Sequence, residues 1–534
     1  MRLLPLVLGG LLSIGSQGQE LNGAQQWFHL DREADNVAGI SAHRTYANRF
    51  GATTPREVIV AVIDAGVDIK HEDLKDVLWI NTGEIPDNGI DDDGNGYIDD
   101  LYGWSFLSGP GGEVHHDTYE LVRELRRMRA LNAEGKIAKG STDAAYLSKL
   151  EKHYKEEYKE MKKAFGMMTK LKTANDAFFA AIPRETISVQ RIEAFKPKGS
   201  WQKIVKSYYL QSLKAEVAIH EAETKLMENY EQIDGMFNYG LDLTFDPRNK
   251  VGDVYDDWAN RIYGDNRVIG PDASHGTHVA GIIAATRYND IGMNGIAVNA
   301  RIMTLRAVPN GDEHDKDIAN AIRYAVDNGA TIINMSFGKS YSPQRWLVHE
   351  AILYALEKDA LLIHAAGNDA KNIDEEENFP SPIAPDGTRY PHWIEVGASS
   401  FQWSDRLVAD FSNYGQKNVD VFAPGFHIYS TMPGNRYDFN SGTSMAAPVV
   451  SGVAAVIRGM YPELSAYQVR DIIRRSAVGY ESEVILPGSK KKKIAFNQLS
   501  NTGGVVNLDR AFDVISQLDF DLGEFNAPAQ SIEE

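Results

Sequence analysis

Three stretches dense in β-branched and aliphatic residues constrain this chain more than anything else in it. They are Val58 to Ile63 (VIVAVI), Ala330 to Gly338 (ATIINMSFG) and Asp359 to Asp369 (DALLIHAAGND). None shows the strict apolar–polar alternation of a strand with one wet face. Strands that are apolar on both faces need cover on both faces, and a parallel sheet sandwiched between helices supplies it. Small-residue and apolar helical patterns follow at HGTHVAGIIAAT and MAAPVVSGVAAVIRGM. The expected fold class is therefore α/β, a mostly parallel sheet flanked by helices.

The polar residues at the ends of these elements carry the chemistry. Asp64 follows Ile63 at the carboxyl end of its strand, the edge where open α/β sheets collect functional groups. His275 opens the helix after the polar stretch GPDAS. Ser444 lies in GTSMAAP, just before a long apolar run. A serine at a helix start sits beside free N–H groups and the positive end of the helix dipole. Alone, it would be a helix cap, Asp64 a turn residue and His275 another cap. Together they supply a nucleophile, a base and an acid to orient that base.

VIDAGVDIKHEDL, HGTHVAG and GTSMAAP resemble the three catalytic signatures of the subtilisin-like serine proteases, the subtilases, in the family's chain order of Asp, His, Ser. The resemblance implies a subtilisin-like fold with Asp64, His275 and Ser444 as a bonded triad. It implies a side-chain amide from Asn368, in Ala365-Ala366-Gly367-Asn368, as oxyanion donor. It further implies that Ser336, Phe337 and Gly338 pair with extended substrate, Phe337 replacing the commoner Leu, and that Ala366 and Gly367 line the same cleft. Phe379-Pro380 falls where the family often has a cis bond. His278 reads as structural. The implied activity is hydrolysis of protein or peptide substrates through an acyl-enzyme. The competing reading is a catalytically silent peptide-binding protein of the same fold, its insert serving as interaction surface.

Asp64 and His275 are 211 residues apart, where the family usually has a few dozen. Leu121, Leu125, Met128 and Leu131 recur at helical spacing. So do Leu147, Leu150, Tyr154, Tyr158, Met161, Phe165 and Met168, then Val205, Tyr209, Leu213 and Val217, with Lys and Glu between. The expected organisation is a catalytic domain at 58–111 and 246–518, an inserted α-helical subdomain at 112–245, and an acidic tail at 519–534. Residues 1–18 read as a signal peptide, with Arg2 before an apolar stretch, so the chain is expected to be secreted or periplasmic. The 39 residues of 19–57 are too few for the usual inhibitory prodomain and read as an extended lead-in plus one helix. No segment after the leader reads as a membrane span.

Asp91, Asp93, Asn95 and Asp99, with Gly96 among them, follow the first half of an EF-hand loop and predict a structural calcium ion. Tyr102 stands where that motif has its glutamate. Acidic residues Asp369 and Asp374 to Glu377 follow the Asn368 strand; facing the cleft, they would favour basic substrate side chains. With no cysteine, the chain has neither disulfides nor thiol chemistry. A net charge of −19 repels phosphate backbones and argues against a nucleic-acid partner.

Overall fold

The computed structural model describes residues 25–51, 53–215 and 217–517. The leader at 1–18, the start of the lead-in and the tail at 519–534 lie outside the described residues. The apolar runs become strands of one sheet: β1 (Val58–Asp64), β2 (Gly103–Ser105), β5 (Ala300–Arg306), β6 (Ile332–Met335), β7 (Leu361–Ala365), β8 (Trp393–Ser399), β9 (Val421–Pro424), β12 (Val478–Gly479) and β15 (Gly504–Val505). Their spatial order is β12-β15-β9-β8-β7-β6-β1-β5-β2. Every neighbouring pair is parallel except β12 with β15. Three small hairpins lie outside it: β3 (Ser108–Gly109) with β4 (Gly112–Glu113), β10 (Ile428–Met432) with β11 (Arg436–Asn440), and β13 (Glu483–Ile485) with β14 (Lys493–Ala495).

The two-residue period of β1 divides the core between the two faces. Val58, Val60 and Val62 pack with the Ser274–Ala284 and Thr443–Met460 helices. Ala61 and Ile63 pack on the other side with the Asp315–Asp327 and Arg345–Glu357 helices. The order reverses at β1, which lies between β5 and β6. Its carboxyl end is thus a switch point, where such sheets bind ligands.

The Thr443–Met460 helix corrects one expectation. With a mean hydropathy of 1.3 it is long and apolar enough to cross a bilayer. Yet 83% of it is buried in the protein, and a helix enclosed on all sides is apolar all round.

Residues 120–235 are helical: Glu120–Ala133, Thr142–Ala181, Val189–Ala194, Ser200–Lys214 and Ile219–Gly235. The 40-residue Thr142–Ala181 helix is about 60 Å long at 1.5 Å per residue. Met161, Met168, Phe178, Val205, Tyr209 and Leu226 form a core whose buried members all fall within residues 122–241. A second cluster joins Leu121, Leu125, Met128, Leu147 and Leu150 to Tyr341 of the main body. The lead-in has more helix than the single one expected: a 3-10 turn at Trp27–His29, then Arg32–Asp35 and Ala42–Asn48. Trp27 and Phe28 are fully buried. The lead-in bonds to His427, Ile296 and Asp509. None of its hydrogen bonds reaches His275, Asn368 or Ser444 among the described residues.

Candidate active site

Asp64 ends β1 with its side chain 3% exposed. His275, one residue into its helix, turns Nδ1 to both carboxylate oxygens, at 2.8 and 2.9 Å. The Ala65 N–H also donates to Asp64 Oδ1 at 2.7 Å. The approach depends on Gly276, since a methyl group there would stand 2.2 Å from the Gly66 carbonyl oxygen. Burial draws the imidazole pKa down, but the charge and hydrogen bond of Asp64 outweigh it and leave His275 above 6.5. The next histidine on the helix, His278, is fully buried; its Nε2 faces the carbonyls of Ile428 and Asp438 at 3.1 and 3.2 Å, and burial holds its pKa down at about 3.

Ser444 is the second residue of the Thr443–Met460 helix, which packs directly on the helix of His275. Its hydroxyl donates to the Ser336 carbonyl at 3.1 Å, while Ser336 Oγ donates to the Ser444 carbonyl at 3.0 Å. No hydrogen bond links Ser444 to His275 among the described residues, so the expected chain of three is closed only between Asp64 and His275. Catalytic contacts are often open before substrate arrives, and Oγ leaves Ser336 by rotation about one bond.

Asn368 follows β7. Its Oδ1 accepts from the Thr443 N–H at 2.9 Å and from Thr443 Oγ1 at 3.0 Å. A backbone N–H can only donate, so these contacts fix which way the amide points. The Nδ2 group then has no protein partner among the described residues and lies on the side of Gly442, where a methyl group would stand 3.5 Å away. Thr443 is thus the orienting residue that the motif contained and sequence reasoning passed over.

The five expected cleft residues divide. Gly338 is exposed at the end of the β6 segment and takes no backbone partner among the described residues. Phe337 and Gly367 are half-buried, and Gly367, at φ 100°, occupies a region that favours glycine. Ser336 is buried against Ser444. Ala366 is fully buried, its carbonyl bound by Asn413 Nδ2 at 2.8 Å, so it lies behind the surface. The Phe379–Pro380 bond is cis. Three of the nearby acids are already engaged: Asp374 accepts from the N–H groups of Lys417 and Asn418 in a distant loop, Glu375 from Asn372, and Glu376 pairs with Lys371.

In the acidic loop, Asp93 alone of the four expected ligands joins a close carboxylate group among the described residues. Its partners are Glu84 and Asp100, with oxygens within 4.8 Å of one another. The other three serve the loop itself. Asp91 accepts from the N–H groups of Gly94, Asn95 and Gly96, Asp99 from those of Asn88 and Gly89, and Asn95 donates to Asp93 and Asp100. The helices of 120–235 touch the body near the cleft on two sides. Lys339, next to Gly338, bonds Glu120 at 2.8 Å, and His153 Nδ1 lies 2.8 Å from the Tyr341 hydroxyl. Opposite, Lys225 pairs at 3.2 Å with Asp438, whose carbonyl His278 binds.

The Subtilase family model matches residues 55–511. The chain belongs to the subtilase family. Over 185 residues it is 44% identical to a thermophilic serine proteinase from Bacillus sp. (strain AK1), covering 34% of this chain and 42% of that one. It is 34% identical over 251 residues to an intracellular serine protease from Paenibacillus polymyxa, covering 47% of this chain and 72% of that relative. This subtilase therefore spans about two fifths of the first relative's length. Among solved structures, a protease from Pseudoalteromonas arctica PAMC 21717 aligns over 92% of this chain and 97% of its own at 19% identity. Its TM-score of 0.46 is too low to carry an argument.

Proposed function

We propose that this subtilase is a serine-type endopeptidase that hydrolyses peptide bonds of protein substrates. The observation that carries the reading is the Asp64–His275 pair held at one sheet edge with Ser444 and an Asn368 amide locked by Thr443. His275 takes the proton from Ser444 Oγ as it attacks the substrate carbonyl. Asp64 fixes the tautomer and stabilises the imidazolium. Asn368 Nδ2 and the Ser444 N–H receive the oxyanion, His275 protonates the leaving amine, and water releases the acyl group. Extended substrate adds as a strand along Gly338.

Hydrolysis of unfolded casein tests this reading. His275 must be neutral to act as base, and Asp64 raises its pKa. Activity should fall as pH drops, with the midpoint of that acid limb above 6.5. A chain that leaves casein intact at every pH removes the reading.

The reading extends to a structural calcium ion in the acidic loop, with a changed ligand set. Asp93, Glu84 and Asp100 bring carboxylate oxygens within 4.8 Å of one another and offer the hard oxygens such an ion takes, whereas Asp91 and Asp99 stand outside that group among the described residues. An ion at a hundredfold excess over its Kd adds about 2.7 kcal/mol to stability. Calorimetry should show the melting temperature falling in a chelator and recovering with calcium. An unchanged melting temperature removes the ion.

A further inference from the structure

Behind the cleft lies a buried imidazole–carboxylate pair with no part in the chemistry above. His364 on β7 and Glu395 on β8 are register partners, and both side chains are fully buried. His364 Nδ1 lies 3.0 Å from both Glu395 oxygens, and its Nε2 lies 2.8 Å from the carbonyl oxygen of Phe337. Trp393 Nε1 donates to Glu395 Oε2 at 2.8 Å. A carbonyl oxygen can only accept, so Nε2 carries a hydrogen. Nδ1 therefore shares one further proton with Glu395, on the ring or on the carboxyl group, and the pair is neutral overall.

The geometry points to His364 as a positioning residue for substrate, the clamp that holds the Phe337 carbonyl inward so that the next residue presents its backbone to the cleft. Carbonyls alternate along a strand. Here the Ser336 carbonyl takes the Ser444 hydroxyl, that of Phe337 takes His364, and Gly338 stays exposed without a backbone partner among the described residues. A methyl group on Gly338 would stand 3.8 Å from His364 Nε2, so the ring lies directly behind the strand-adding edge. His364 lies on β7, four residues before Asn368, which follows the end of that strand. The inference rests on the peptidase reading.

The proton count chooses the test variants. In Glu395→Gln, the amide oxygen can accept from Trp393 and the amide N–H can donate to Nδ1, which keeps the Nε2–H on Phe337. The clamp should survive, with kcat/KM on an extended peptide within about threefold of wild type, a change smaller than the loss of one hydrogen bond. Adding His364→Leu removes the donor without stranding a buried charge. In that double variant KM for the extended peptide should rise on the order of tenfold, the worth of one buried hydrogen bond. Hydrolysis of a single-residue ester, which needs Ser444 and His275 but not the edge, should stay near wild type.

Equal losses on both substrates, or an unchanged KM, would overturn the clamp. If the double variant does not fold, histidine-selective nitrogen-15 spectra of the wild type and of Glu395→Gln decide between the outcomes. Both should show the same protected Nε2–H, and its absence would overturn the proposal. A wild type inactive on ester and peptide alike would fail the peptidase reading instead.

Discussion

Replacing Ser444 with alanine is expected to cost casein hydrolysis roughly a million-fold in turnover, the size known for the nucleophilic serine of subtilisin. The loss is large because the acyl intermediate disappears altogether. Asp64 and His275 remain paired, but they have no hydroxyl to activate. What remains is binding plus oxyanion stabilisation, worth about 10³- to 10⁴-fold over water in subtilisin. Asn368→Leu separates that remainder. It should slow turnover about 100- to 1000-fold, again on subtilisin's scale, with KM little changed, because its amide meets charge that exists only in the transition state. Ser444→Ala activity equal to wild type on purified protein would remove the nucleophile and with it the mechanism.

The sheet was legible because its strands are buried on both faces. Val58 to Ile63 could not be a half-exposed strand, and it became an interior strand of a mostly parallel sheet. The motifs also carried position along the elements: Asp64 and Asn368 fall at or just past strand ends, and His275 and Ser444 at helix starts, as the sequence pattern placed them. What local pattern cannot carry is a partner far along the chain. Glu395 is 31 residues from His364, and Glu120 is 219 from Lys339. A histidine inside an apolar run signals only that something must satisfy it. The Ile219–Gly235 helix escaped notice because its buried positions, such as Ala222, Leu226 and Ile233, are sparse among charged residues. The acidic loop shows the same limit. Alternation along Asp91, Asp93, Asn95 and Asp99 gives the order of oxygens but not which carboxylates stand together in space. Those that join Asp93, Glu84 and Asp100, stand outside the pattern.

Lys339→Met is expected to destabilise the fold by about 3–5 kcal/mol, the range for removing one member of a buried ion pair. Lys339 is one residue beyond Gly338, and its side chain is 2% exposed. Its Nζ meets Glu120 Oε2 and Asp315 Oδ1 at 2.8 Å each and the Glu313 carbonyl at 2.7 Å. Methionine fills similar space but leaves acids without a counter-charge where water cannot replace it. Burial by itself pushes the Glu120 carboxyl up; Arg123 and Lys339 pull it well below its ordinary range, so its ionised form depends on them. Lys172→Ala is the control. Its exposed i,i+4 pair with Asp176 spans 3.2 Å and should be worth about 0.3–0.5 kcal/mol. Denaturant melts of the two variants give the comparison, and a Lys339→Met loss no larger than the control's would show that Glu120 and Asp315 find another partner. The position of Lys339 makes the effect more than structural. Its backbone pairs with Phe379 in both directions, at 2.9 and 3.0 Å, and its side chain anchors the first helix of the 120–235 segment. The buried ammonium therefore joins that segment to the strand end at Gly338, and on the proposed reading kcat/KM on extended peptides should fall along with stability.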